Sequence, residues 1–167
     1  MEIVFDASTL ILLAKLELLR EVTGEIKVII PEKVKTECLS KKGTDTLLIS
    51  TLIKEKNIEV RKAGNAEAIK KIQLDFRIEA GEAEALWLAR RLKCPIAVDD
   101  GPTIKACKVI GQRFTTAIHF LLNLVSQDKL ELPMAIAKLE KLFHYGRYRR
   151  EIIEDAMKRL KGEKGWV

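Results

Sequence analysis

Ile3-Val4-Phe5-Asp6-Ala7-Ser8 and, much later in the chain, Ile96-Ala97-Val98-Asp99-Asp100-Gly101 decide the fold. Each is a short apolar run that stops on an acid and passes into a helical pattern, through Leu10, Ile11, Leu12 and Leu13 in the first case and residues 103–109 in the second. Between them the same alternation repeats. Lys27-Val28-Ile29-Ile30 reads as a second strand, and Pro31 suits the first turn of a helix through Val34, Glu37 and Cys38 that Gly43 closes. Residues 47–56 read as helix, and Ile58-Glu59-Val60 as either a short third strand or an extended connection. From Asn65 onward Ala68, Ile69, Ile72 and Phe76 recur at helical spacing. Gly81 then introduces Glu82-Ala83-Glu84-Ala85-Leu86-Trp87-Leu88-Ala89, rich in strong helix formers, and Pro95 ends that region. Arg113-Phe114-Thr115 is a last short strand, and helices are expected over 117–126 and 133–160 with a break around Gly146. Alternating strands and helices imply a three-layer α/β/α arrangement with a mainly parallel central sheet of four or five strands. The expectation is a single domain over residues 1–167, with about 130–167 as a charged C-terminal helical extension.

Composition bounds the partners. An apolar fraction of 47% with 32% charged residues supports one substantial core under a charged surface in 167 residues. A net charge of +6 favours an anionic partner, because Lys and Arg neutralise phosphates and release their counterions. Cys38, Cys94 and Cys107 are odd in number and widely spaced, which suggests neither a disulfide framework nor a thiolate zinc site. His119 and His144 lack partners at ligand spacing, and no glycine-rich phosphate loop occurs. The opening residues lack a basic leader pattern, and no run approaches the roughly 20 apolar residues of a membrane span. A soluble cytoplasmic protein without a membrane partner is expected.

Ligands in open parallel sheets bind beyond the carboxyl ends of the strands. Asp6 and Asp99 take that position after two strands, Asp100 follows at once, and Glu37 and Glu82 lie on the intervening helices. Taken singly, Asp6 is an ordinary turn former or helix cap, and Glu82 an acid favoured by a helix N-terminus. Together they make sense around divalent metal, which relieves the repulsion of gathered carboxylates and suits their hard oxygen donors. Such an ion activates water and neutralises phosphate charge, the chemistry of phosphodiester hydrolysis.

Asp6-Ala7-Ser8, Pro31-Glu32-Lys33-Val34-Lys35-Thr36-Glu37, Gly81-Glu82-Ala83-Glu84-Ala85 and Val98-Asp99-Asp100, in that order, resemble PIN-domain proteins, particularly the toxin-like VapC group. The resemblance spans residues 3–116 and extends more weakly into Gly146-Arg147-Tyr148-Arg149-Arg150. It implies a Rossmann-like sheet and a metal-dependent endoribonuclease using Mg²⁺ or Mn²⁺. Asp6, Glu37 and Glu82 stand at the family's first three acidic positions. Many relatives carry Asp at the third, so Glu84 is an alternative there. At the fourth, Asp99 is first after the strand and Asp100 is its alternative. Ser8 and Thr115 or Thr116 resemble hydroxyl residues near such sites, where they orient a water or an acid. Arg147, Arg149 and Arg150, beside Tyr145 and Tyr148, suit contact with RNA phosphates and bases. The resemblance further implies a homodimer and an antitoxin partner. Two other readings stay open: a catalytically weak PIN fold retained as an RNA-binding or assembly module, and a phosphohydrolase of small molecules.

Overall fold

The apolar runs are strands, and every pairing between them is parallel. The computed structural model describes residues 1–40, 42–145 and 148–162. Within it the chain divides into two compact units, Met1–Thr116 and Ala117–Val167.

The first unit runs β1 (Glu2–Phe5), α1 (Ala7–Lys15), α2 (Leu19–Glu25), β2 (Lys27–Pro31), α3 (Glu32–Leu39), α4 (Thr44–Lys54) and β3 (Ile58–Arg61). It continues through α5 (Ala66–Phe76), α6 (Ala80–Leu92), β4 (Ile96–Ala97), α7 (Gly101–Ile110) and β5 (Phe114–Thr115). The five strands lie in the order β3-β2-β1-β4-β5. Winding therefore proceeds one way from β1 to β3 and the other way through β4 and β5, which puts the switch between β1 and β4. Ile3, Val4 and Phe5 of β1 and Val28, Ile29 and Ile30 of β2 are all buried, as expected when helices cover both faces of a parallel sheet. Helix α6 packs on β1, β2 and β4, with Ala83, Ala85, Leu86, Leu88 and Ala89 buried. Its alanines and leucines, none branched at Cβ, satisfy helix propensity, and the alanines allow close approach to the strands.

Local differences from the sequence pattern have physical causes. Ile58-Glu59-Val60 is a true strand, paired with β2 from Val28↔Ile58 to Pro31↔Arg61. Pro31 ends β2 and stands at the N-cap of α3 with an extended backbone (φ −75°, ψ 164°). That helix stops at Leu39, capped by Ser40. Gly43 does not close it; at φ 156° it provides a bend that side-chain-bearing residues rarely adopt, and α4 starts directly after it at Thr44. The short helix α2 buries Leu19 and Val22 although its seven residues are too few to show a period.

The second unit comprises α8 (Ala117–Ser126), α9 (Leu132–Tyr145) and α10 (Arg150–Leu160), with α9 packed against both neighbours. Leu139 and Leu142 of α9 and Ile153 and Ala156 of α10 are buried. The expected helix over 133–160 is thus two helices, and Gly146, where a break was expected, lies outside the described residues. Among the described residues no helix is long and apolar enough to cross a membrane.

Candidate active site

Adjacent strands β1 and β4 pair Val4 with Ile96 and Phe5 with Ala97, so the residues that follow them emerge side by side at the switch point. Asp6 is the first of these. Its backbone N–H donates to the Ala97 carbonyl at 2.9 Å, and the side chain is only 2% exposed. Oδ2 accepts from the Ser8 hydroxyl at 2.9 Å, while Oδ1 is buried without a hydrogen-bond partner. Burial, with repulsion from Glu37 and Asp100 and against the opposing hydrogen bonds of Ser8 and Ala7, raises its pKa from 3.8 to about 6.

Glu82 sits in the first turn of α6. Two successive parallel strands require the intervening chain to return across the sheet, and this brings the start of α6 to the carboxyl ends of the strands. The Glu79 backbone N–H donates to Glu82 Oε2 at 2.8 Å, one arm of a capping box. Desolvation nevertheless outweighs that bond, and repulsion from Asp100, Asp6 and Glu79 adds to it, so the Glu82 pKa stands at about 7. Glu84, two residues on and so on a different side of the helix, accepts from the Lys33 backbone N–H at 3.3 Å and serves the start of α3.

Glu37, in the last turn of α3, lies directly over Gly81. A Cβ at position 81 would come within 3 Å of three atoms of the Glu37 carboxyl group. Glycine at that point of α6 is what admits the acid. Desolvation, then Glu79 and Glu82, push the Glu37 pKa up, against Lys33 and the Gly81 amide.

The acid pair after β4 is divided between two sets of bonds. Thr9 Oγ1 donates to Asp99 Oδ2 at 2.6 Å, and the Asp99 N–H donates to Ser8 Oγ at 3.1 Å. Asp100 is the N-cap of α7, its Oδ2 accepting from the Thr103 N–H at 3.0 Å and the Thr103 hydroxyl at 2.8 Å. It is Asp100 that enters the electrostatics of both Asp6 and Glu82.

Of the hydroxyl residues, Ser8 joins Asp6 to Asp99. Thr115 ends β5 with its Oγ1 buried and lacking a partner, and Thr116 is half-buried at the end of the first unit. Arg149 and Arg150 are exposed at the start of α10 in the second unit, and Arg147 lies outside the described residues. Thr9, Thr103, Glu79 and the closeness of Gly81 to Glu37 were not among the expectations from sequence. Only Thr103 was signalled, by its place three residues after an Asp at a helix start.

Four acids from four separate elements therefore bear on one another: Asp6, Glu37, Glu82 and Asp100. Among the described residues no three acids already stand close enough to enclose an ion. The donors nonetheless fit one, because they are carboxylate oxygens suited to Mg²⁺ or Mn²⁺, and Asp6 Oδ1 is buried without a partner.

A family model described as a PIN domain (DUF3368) matches residues 2–162. No curated protein matches the chain. Among solved structures the chain is similar to one in the crystal structure of VapBC2 from Rickettsia felis bound to a DNA fragment from their promoter. That similarity has 8% identity and a TM-score of 0.47, over 70% of this chain and 98% of that one.

Proposed function

The chain belongs to the PIN-domain family, and on that premise we propose that it is a metal-dependent endoribonuclease hydrolysing RNA phosphodiesters in the cytoplasm. The observation that carries the reading is the gathering of Asp6, Glu37, Glu82 and Asp100, where burial first and neighbouring acids second disfavour the charges of Asp6, Glu37 and Glu82, together with the unpartnered Oδ1 of buried Asp6. Gathering carboxylates in this way is costly unless a cation joins them. Asp6, Glu82 and Asp100 hold Mg²⁺ or Mn²⁺ in this proposal, with Glu37 completing the acidic wall. When bound, the ion supplies an activated water and charge neutralisation at the phosphate. The chain's own contribution is positioning. Ser8 fixes Asp6, Thr103 fixes Asp100, and Thr9 with Ser8 fixes Asp99. No protein nucleophile is needed.

Within the family we place the chain with the VapC-like toxins, as a homodimer restrained by an antitoxin protein, on the motifs around Asp6, Glu37, Glu82 and Asp99-Asp100. Its expression alone is then expected to arrest growth, and an Asp6→Asn variant to be harmless at equal abundance. The deciding experiment is cleavage of labelled single-stranded and structured RNAs by purified protein with Mg²⁺, Mn²⁺ or EDTA, beside Asp6→Asn. Metal-dependent cutting that the substitution abolishes supports the reading. Equal residual cutting by the variant would sink it and favour an RNA-binding module.

A further inference from the structure

A groove of about 470 Å³ opens between the end of α5 and one side of α7, within the size range of clefts that hold small ligands. Asp75, Phe76 and Arg77 line it from α5, and Gly101, Pro102, Lys105 and Val109 from α7. The α7 residues recur at helical spacing, so they form one stripe along that helix. This stripe begins directly after Asp100, the acid that bears on Asp6 and Glu82. On the other side, Arg77 is followed within a few residues by Glu79, which caps the helix carrying Glu82. Both walls of the groove are thus covalently continuous with the acidic cluster.

Its charge is opposite to that of the cluster. Asp75 is already paired with Lys71 at 3.0 Å. The side chains of Arg77 and Lys105 are exposed and make no ion pair among the described residues. Between these cations lies half-buried Phe76, with Pro102 and Val109 extending the apolar lining. Free cations flanking an aromatic ring match an unpaired nucleotide, whose base offers a stacking face and whose phosphates are anionic.

We propose that this groove seats an unpaired nucleotide of a single-stranded RNA next to the phosphate to be cut, with Phe76 stacking on the base and Arg77 and Lys105 holding adjoining phosphates. The inference rests on the ribonuclease reading and assigns that site its substrate form. Base-paired RNA cannot splay a base onto Phe76, so selection for single strands follows.

Full-length protein and its Phe76→Leu, Phe76→Tyr, Arg77→Asn and Lys105→Gln variants are titrated, without metal, into fluorescently labelled single-stranded and hairpin oligoribonucleotides across a salt series. Asn is chosen at 77 because that residue has φ 52°, which Asn tolerates well. Phe76→Leu is expected to weaken single-strand binding roughly tenfold without changing the salt slope, while Phe76→Tyr binds as wild type. Arg77→Asn and Lys105→Gln are each expected to lower the salt slope by about 0.7. Wild-type affinity in Phe76→Leu, equal binding of hairpins, or no binding by wild type overturns the inference. The same variants are assayed for cleavage with Mn²⁺. Groove-dependent binding without any cutting keeps the inference and defeats the nuclease reading. Cutting with KM unchanged in Phe76→Leu and Lys105→Gln defeats the inference and keeps the nuclease.

Discussion

Asp6 carries two costs that a cation would remove: burial of its charge and proximity to other acids. With its folded pKa raised from 3.8 to about 6, the protonated form is favoured in the folded state. Its contribution to stability is therefore fully present below pH 3.8 and is lost as pH rises through 6. Asn resembles protonated Asp and keeps an acceptor for Ser8. Metal-free Asp6→Asn is thus expected to match wild type near pH 4 and to exceed it by about 3 kcal/mol at pH 8, measured by urea unfolding. Equal stability at both pH values would mean that Asp6 carries neither cost. Asp99 and Asp100 separate by a different measurement. Asp100→Asn keeps a good helix cap and should lose cleavage at every Mn²⁺ concentration. Asp99→Asn alters the carboxylate that accepts from Thr9, and should weaken metal affinity roughly 10- to 100-fold. Excess Mn²⁺ would then restore its rate, and the reverse pattern would exchange the two roles.

At the scale of elements, the start of α6 meets the end of α3 through a glycine that helix propensity alone disfavours. Alanine inside a helix ordinarily gains about 0.5–1 kcal/mol over glycine. At position 81 its Cβ would collide with the Glu37 carboxyl group. Gly81→Ala is expected to be neutral or destabilising in wild type and to lower cleavage at least tenfold, yet to stabilise a Glu37→Ala background. A thermal double-mutant cycle measures the difference, and additive changes would show that Glu37 moves aside freely. Such contacts explain what could be read in advance. The strand within each apolar run and the helix of residues 66–76 announced themselves through local pattern and propensity. The Gly81–Glu37 approach and the Thr9–Asp99 bond did not, because they join residues far apart in sequence. Glu82 and Glu84 are chemically alike, and only their different directions on α6 give one to the cluster and the other to the start of α3.

For the whole molecule, strand order turns scattered acids into a site. Sequence order would allow many arrangements, and only the neighbouring of β1 and β4 brings Asp6 beside Asp99 and Asp100. That pairing depends on long-range packing, which no local motif encodes. A molecule with net charge +6 thereby holds its repelling acids at one switch point, and the cost is borne by the folded state as a unit. Metal that binds the folded chain should stabilise it against global unfolding by mass action, about 2.7 kcal/mol at a concentration a hundredfold above Kd. For a chain of this size that corresponds to a Tm increase of roughly 5–10 °C. Protons compete with the ion for Asp6 and Glu82, whose pKa values stand at about 6 and 7. The Mn²⁺-induced shift should consequently be large at pH 8, small at pH 5, and strongly reduced at both in Asp6→Asn. Differential scanning calorimetry with matched EDTA controls measures it. A shift of equal size at pH 5 and pH 8, retained by Asp6→Asn, would locate metal binding elsewhere on the molecule and remove the physical reason for gathering these acids.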